Sequence, residues 1–257
     1  MAQEVFYYGQ GRVFLAPFVI GKPPLFRFVG DVSELTVKLA IEKVEHNESY
    51  SGQNALVVSF PKKKSCTMGA TFFNIEPDNI AMTLYGKVVS KAKGQVQGEK
   101  LPEGIKAGSV AMLEHFGVSA VTIKDSHSAP VTIDPKHYTV SQHGSITFHS
   151  LPDSPAPTQP LKVDYSYAAA QGVGLFTAPQ PTVILRYEGI NLAQNGDPVL
   201  LELYKVPTDP LQDFAFITDG NDVAGMKVEG GVLLDSSRPS SSEFGQFGRI
   251  LQLSPEA

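Results

Sequence analysis

The sequence predicts an all-β chain, a sandwich or barrel of many short strands with one short helix at about 76–85. Two observations carry this prediction. Apolar and polar residues alternate with the period of a half-buried strand through most of the chain, and clusters of Gly, Pro, Asn, Asp and Ser punctuate the alternation at short intervals. A third observation, one stretch with helix start and stop signals, adds the helix.

The clearest strand is Ser33 to Glu42, where Leu35, Val37, Leu39 and Ile41 occupy one parity and Glu34, Thr36, Lys38 and Glu42 the other, together with Ala40. Arg12 to Ile20, Ala55 to Phe60, Ser65 to Ile75, Ala120 to Lys124, Ser145 to His149, Leu161 to Tyr167, Thr182 to Tyr187 and Val199 to Val206 are similar, being rich in Val, Thr, Phe and Tyr. Turns are expected at Gly21-Lys22-Pro23-Pro24, Gly30-Asp31, Ser51-Gly52-Gln53-Asn54 and Gln194-Asn195-Gly196-Asp197-Pro198. The helical stretch is Asn74 to Gly86. Pro77 has the fixed φ of a first helical turn, Glu76 and Asp78 complement the positive end of the helix dipole, and Gly86 is suited to a left-handed stop. Ile80, Ala81 and Leu84 form its expected apolar stripe.

With 257 residues the chain is long enough for one large or two ordinary domains. A single domain over 1–257 is expected, with an outward-facing β insertion around 101–168. Leu151 to Pro160, with four prolines, reads as a stiff loop, and the Ser- and Gly-rich segment 235–248 as a mobile one. One cysteine allows no internal disulfide and no thiolate-rich zinc site. Met1 to Tyr8 has neither the basic start nor the apolar core of a secretory signal, and no run approaches the about 18–20 apolar residues of a membrane span. Synthesis and folding in a cytoplasm are therefore expected, with no membrane association. With 26 acidic against 21 basic residues, the net charge of −5 argues against a protein that grips duplex DNA.

Chemistry-bearing motifs are few. His137, His143 and His149 are evenly spaced, but Gly144 interrupts the extended backbone that would align them, so surface histidines are expected rather than a metal site. Asp219-Gly220-Asn221-Asp222 offers calcium-type oxygens without a bidentate Glu and reads as a tight turn. Gly-x-Ser-x-Gly, the phosphate-binding loop and the dinucleotide fingerprint are absent from the sequence. Cys66 sits in an alternating strand, where a buried inert thiol is the default. No enzyme activity, no cofactor and no metal are expected.

The informative polar stretch runs from Glu42 to Asn54 and on through Lys62-Lys63-Lys64. It reads as a hairpin end that is acidic on one side and basic on the other. Gatekeeper charges on a solvated hairpin explain it, and so does a projecting loop that meets complementary charges on a second copy of the chain.

The first 90 residues resemble bacteriophage tail tube (major tail) proteins. The resemblance rests on Tyr8-Gly9-Gln10-Gly11-Arg12-Val13-Phe14-Leu15-Ala16 and on Phe28-Val29-Gly30-Asp31-Val32-Ser33-Glu34-Leu35-Thr36-Val37 leading into the charged hairpin. It continues in Thr71-Phe72-Phe73-Asn74 running to Leu84-Tyr85-Gly86. Further on, Tyr138 to Phe148 and Leu161 to Tyr167 are similar to strand patterns of phage tail and related virion proteins. The resemblance implies a tail-tube β-sandwich whose copies, six to a ring, share an inner β-barrel and stack into a tube through which phage DNA reaches the host. It implies other tail proteins as partners (tape measure, terminator, and baseplate or tip) and a place in the virion after assembly in the bacterial cytoplasm.

Such a lumen must not hold phosphates, because each Lys or Arg contacting DNA adds affinity through counterion release. Six copies would carry a formal −30, six times −5, in keeping with an acidic, non-adhesive conduit. Glu34, Lys38, Glu42, Thr67 and Thr71 are the lumen-facing candidates. Glu45, His46, Glu48, Tyr50, Lys62, Lys63 and Lys64 are the candidates for contacts between stacked rings. The alternative is a soluble β-sandwich binding module of carbohydrate-binding or adhesin type, in which nine Tyr would replace the missing Trp as aromatic platforms.

Overall fold

The computed structural model describes residues 6–218, 220 and 223–252. Strands account for 48% of the chain, against a single short α-helix, which places the protein in the all-β class. In chain order the elements are β1 (Gly9–Pro17), β2 (Arg27–Phe28), β3 (Val32–Asn47), β4 (Leu56–Phe72), α1 (Pro77–Thr83), β5 (Val88–Lys91), β6 (Gly94–Lys100), β7 (Val110–Met112) and β8 (Val118–Lys124). They continue with β9 (Tyr138–Val140), β10 (Ser145–Phe148), β11 (Lys162–Tyr167), β12 (Ala170–Val173), β13 (Thr182–Asn191), β14 (Asp197–Pro207), β15 (Met226–Val232) and β16 (Gly248–Gln252). The chain folds as two compact units, one made of residues 1–88 and 173–257 and the other of 89–172. The second takes in the whole 101–168 region together with its flanking strands.

The first unit is a sandwich. A five-stranded sheet in the order β16-β14-β13-β1-β2 faces a three-stranded sheet in the order β15-β4-β3. Alternation decides which side chains meet between them: Val13, Leu15, Leu185 and Leu203 come from one sheet and Cys66, Met68, Ala70, Phe72, Met226 and Val228 from the other. Cys66 is buried among them, and its thiol is pushed up by that burial. The second unit has its own core, with Ile123, Ile146, Phe148, Leu161 and Val163 fully buried between the sheets β7-β10-β9 and β6-β11-β8.

Two sequence expectations change here. Ala55 to Phe60 and Ser65 to Ile75 are not separate strands but one, β4, of 17 residues. The pairing with β3 steps from Glu42↔Lys63 to Lys43↔Pro61, so Lys62 is an extra residue in a bulge and the strand passes Pro61 without ending. Proline is tolerated at this point because β15 pairs only with Cys66 to Phe72, leaving β4 unpaired on that side near Pro61. The second change concerns the helix. Its buried face is Asn79, Met82 and Thr83 rather than Ile80, Ala81 and Leu84, which are only half-buried.

The helix still begins at Pro77, with Glu76 as N-cap. Its stop differs from the expected one. Tyr85, not Gly86, takes the left-handed conformation (φ 50°), and the Gly86 N–H donates to the Ala81 carbonyl at 2.8 Å, closing the last turn. Gly86 is needed for a different reason: a Cβ there would lie 2.3 Å from the Gly174 carbonyl oxygen. The Ser- and Gly-rich segment 235–248 is held at its start by Asp235, which is buried and accepts from the Ser237 N–H and hydroxyl. Arg238 lies 3.5 Å above the Tyr204 ring.

Candidate functional site

The long β3–β4 hairpin organises the candidate surfaces. Beyond Cys66, where β15 stops, the remaining residues of β3 and β4 pair only with each other. About nine residues of each strand thus form a two-stranded arm roughly 30 Å long at about 3.4 Å per residue. From Leu39 at its root to Asn47, and from Leu56 to Lys64, all of its side chains are exposed. Several are apolar: Leu39 is 80% exposed, Ile41 55%, Phe60 51% and Val58 44%. The sequence pattern of β3 promised a buried face of Leu35, Val37, Leu39 and Ile41. Only Leu35 reaches the core, because β3 is the edge strand and the facing sheet does not extend over it.

The ring-contact candidates separate on this arm. Tyr50 stands at its tip, 87% exposed. Glu45 lies opposite Ser59 and His46 opposite Val58. Lys62 reaches Glu42 at 3.4 Å across the exposed bulge, while Lys63 lies opposite Glu42 and Lys64 opposite Ile41. The triple lysine is therefore part of the strand, not the far side of a loop.

Glu48 is different in kind. It is buried, and its carboxylate organises the turn, accepting from the Ser51 hydroxyl, from the N–H groups of Tyr50 and Ser51 at 2.8 Å, and from the Ala55 N–H at 3.4 Å. It cannot serve as a free charge for a second chain. The Ser51 hydroxyl and then the Ser51 N–H contribute most to pulling its pKa from 4.5 down to about 2. Because the folded pKa is depressed, the stabilisation is present above pH 4.5 and is lost as pH falls towards 2. Protection of the Tyr50, Ser51 and Ala55 amides, taken relative to the intrinsic exchange rate at each pH, should therefore fall over that window. Glu48→Gln should show at least about tenfold faster exchange already at neutral pH, and unchanged exchange would refute the hub role.

The lumen-facing candidates are brought together more fully. Glu34, Lys38, Thr67 and Thr71 line one shallow depression on the outer face of the sheet β15-β4-β3, and Glu42 continues the same side up the arm. Glu34 sits at a bulge between Ser33 and Thr36 with φ 57°. Sequence reasoning missed three further members of this face: Asp209, Lys227 and Glu229. The alternation of Met226, Val228, Gly230 and Val232, all buried, was the signal that could have found β15.

Lys227 and Glu229 form an ion pair at 2.8 Å. The pairing with Glu229 raises Lys227, with Asp213 and Glu34 adding to it, and Lys227 in turn lowers Glu229, assisted by Lys38. The face is thus rich in hydroxyls and of mixed sign rather than acidic.

The histidines do not converge. His137 pairs with Ser150, His149 with Thr139, and His143 is exposed. Among the described residues no group of three or more His, Cys, Asp or Glu could hold a metal ion. Asp219, Asn221 and Asp222 of the expected tight turn lie outside the described residues. No helix among the described residues is long and apolar enough to cross a membrane.

Comparison with curated proteins finds no match. Residues 6–251, nearly the whole chain, match the family described as "Protein of unknown function UCP028589", and the chain belongs to that family.

Proposed function

We propose that this chain is a structural subunit of a bacteriophage tail tube, with rings of copies stacking into a conduit for DNA. One observation carries the reading: a roughly 30 Å two-stranded arm exposes apolar side chains along an edge strand whose outer edge pairs with no other strand among the described residues. A two-stranded hairpin alone is marginally stable in water, and a long apolar edge is an aggregation hazard unless another chain covers it. Pairing with successive copies in a closed ring covers the arm and leaves no lateral edge.

The polar face around Lys38, Thr67, Thr71 and Glu229 suits the wall of a DNA channel. Lys227 is paired with Glu229 and the field of Lys38 reaches the same carboxylate, so carboxylates compete with phosphates for both cations, and the hydroxyls of the face keep it wet. Non-adhesion would then rest on charge balance across this face more than on the overall −5. The resemblance implies six copies to a ring.

Purified protein, examined by size-exclusion chromatography and negative-stain microscopy, should yield rings or tubes. A monomer that persists as concentration is raised would overturn the assignment.

A further inference from the structure

The unit formed by residues 89–172 contains a small cavity of about 190 Å³ lined by Val89, Lys91, Glu114, Phe116, Tyr167 and Gln171, with His115 in its wall. Behind the wall runs a hydrogen-bonded relay. Glu99 accepts from the Glu114 N–H at 2.9 Å with one carboxylate oxygen and from the Tyr165 hydroxyl at 2.5 Å with the other. Tyr165 has one proton and gives it to Glu99, so its oxygen accepts from His115 Nδ1–H at 3.1 Å. With Nδ1 carrying the proton, the neutral imidazole keeps Nε2 as a lone-pair acceptor. The ring is also locked by stacking on Tyr167, centroids 3.9 Å apart and planes within 23°.

A fixed histidine tautomer, a relay spent on orienting it, and a phenylalanine left 57% exposed beside it together form a recognition surface. Three features choose the ligand class. The cavity is smaller than the about 300–1,000 Å³ of drug-sized sites, so it takes one small ring. Its acceptors, His115 Nε2 and the Glu114 carboxylate, call for hydroxyl donors, while Lys91 and the Gln171 amide donate in return. The Phe116 ring and the edge of the Tyr167–His115 stack offer an apolar shelf to C–H groups. An anion is disfavoured, because Lys91 is the one cation in the lining and the Glu114 carboxylate lines the same cavity. A wholly apolar ligand would leave the polar groups unpaired.

We propose that this pocket binds a single saccharide residue of pyranose type, its hydroxyls held by His115, Glu114 and Lys91 and one apolar face laid on Phe116. This activity is additional to the tube reading and does not depend on it.

The test is saturation-transfer NMR on the full chain with D-glucose, D-galactose and N-acetyl-D-glucosamine, each at millimolar concentration. Transfer to the ring C–H protons of at least one sugar is expected. It should fall about tenfold in Phe116→Ala, a surface change that leaves the circular dichroism spectrum intact, and also in Glu114→Gln. Absence of transfer from all three sugars, or equal transfer in Phe116→Ala, would overturn the proposal. So would a response to inorganic phosphate without one to the sugars, which would mark an anion site instead.

Discussion

Leu39→Asp combined with Phe60→Asp should give a folded, soluble chain that no longer forms rings or tubes. Both side chains are exposed on the β3–β4 arm, at 80% and 51%, so the isolated chain loses little by their removal. In an assembly that covers the arm, each large apolar side chain taken from water contributes about 1.5–3 kcal/mol. Burying a carboxylate in its place adds a desolvation cost. The critical concentration for assembly should rise at least about a hundredfold. Sedimentation velocity and negative-stain microscopy read this directly, with circular dichroism as the control for folding. Assembly at the concentration that suffices for the unmodified chain would remove the arm from the mechanism, whatever else the protein does.

Asn79→Ala should destabilise the sandwich unit by about 3 kcal/mol, a large share of the about 5–15 kcal/mol that holds a typical domain. Asn79 is fully buried, and both its amide nitrogen and its oxygen are engaged. Its amide nitrogen donates to the carbonyls of Val29 and Asn74, both at 2.9 Å, and its oxygen accepts from Arg27 at 2.6 Å. Arg27 also pairs with Glu76 at 3.0 Å, so one side chain ties the β2–β3 connection, the chain before the helix and the helix itself. Alanine would leave two carbonyls and part of a guanidinium without partners, each costing about 1–3 kcal/mol where water cannot replace the bond. Urea denaturation followed by circular dichroism measures the loss. A change below about 0.5 kcal/mol, the level of an ordinary surface substitution, would mean that water takes over these bonds.

Both results turn on features that residue pattern alone does not reveal. Around Asn79 the start and stop signals of Asn74 to Gly86 identified the helix correctly, but its inner face is only partly the expected stripe: Ile80 packs against the core, while the buried residues are Asn79, Met82 and Thr83. The apolar positions Ile80, Ala81 and Leu84 are the natural stripe, yet the most buried helix position is the polar Asn79, whose amide donates to the carbonyls of Val29 and Asn74. Glu48 teaches the same lesson. As a residue in a charged stretch it reads as a surface contact, whereas three backbone N–H groups of a tight turn converge on its carboxylate. The relay of Glu99, Tyr165 and His115 joins residues up to 66 positions apart, and no local spacing announces it.

What the sequence by itself determined is the local geometry. Period-2 alternation marks Thr182 to Tyr187 and Val199 to Val206 as strands because successive side chains in an extended backbone must point to opposite sides. Pro77 starts the helix because its φ is already helical and its missing N–H costs nothing there. Only the tertiary structure decided which of the alternating faces is covered. Leu35 and Leu39 belong to the same stripe, but one meets the opposite sheet and the other lies past its edge. Burial depends on where a second sheet ends, and that boundary is set by pairings between residues far apart in the chain, which carry no local signal.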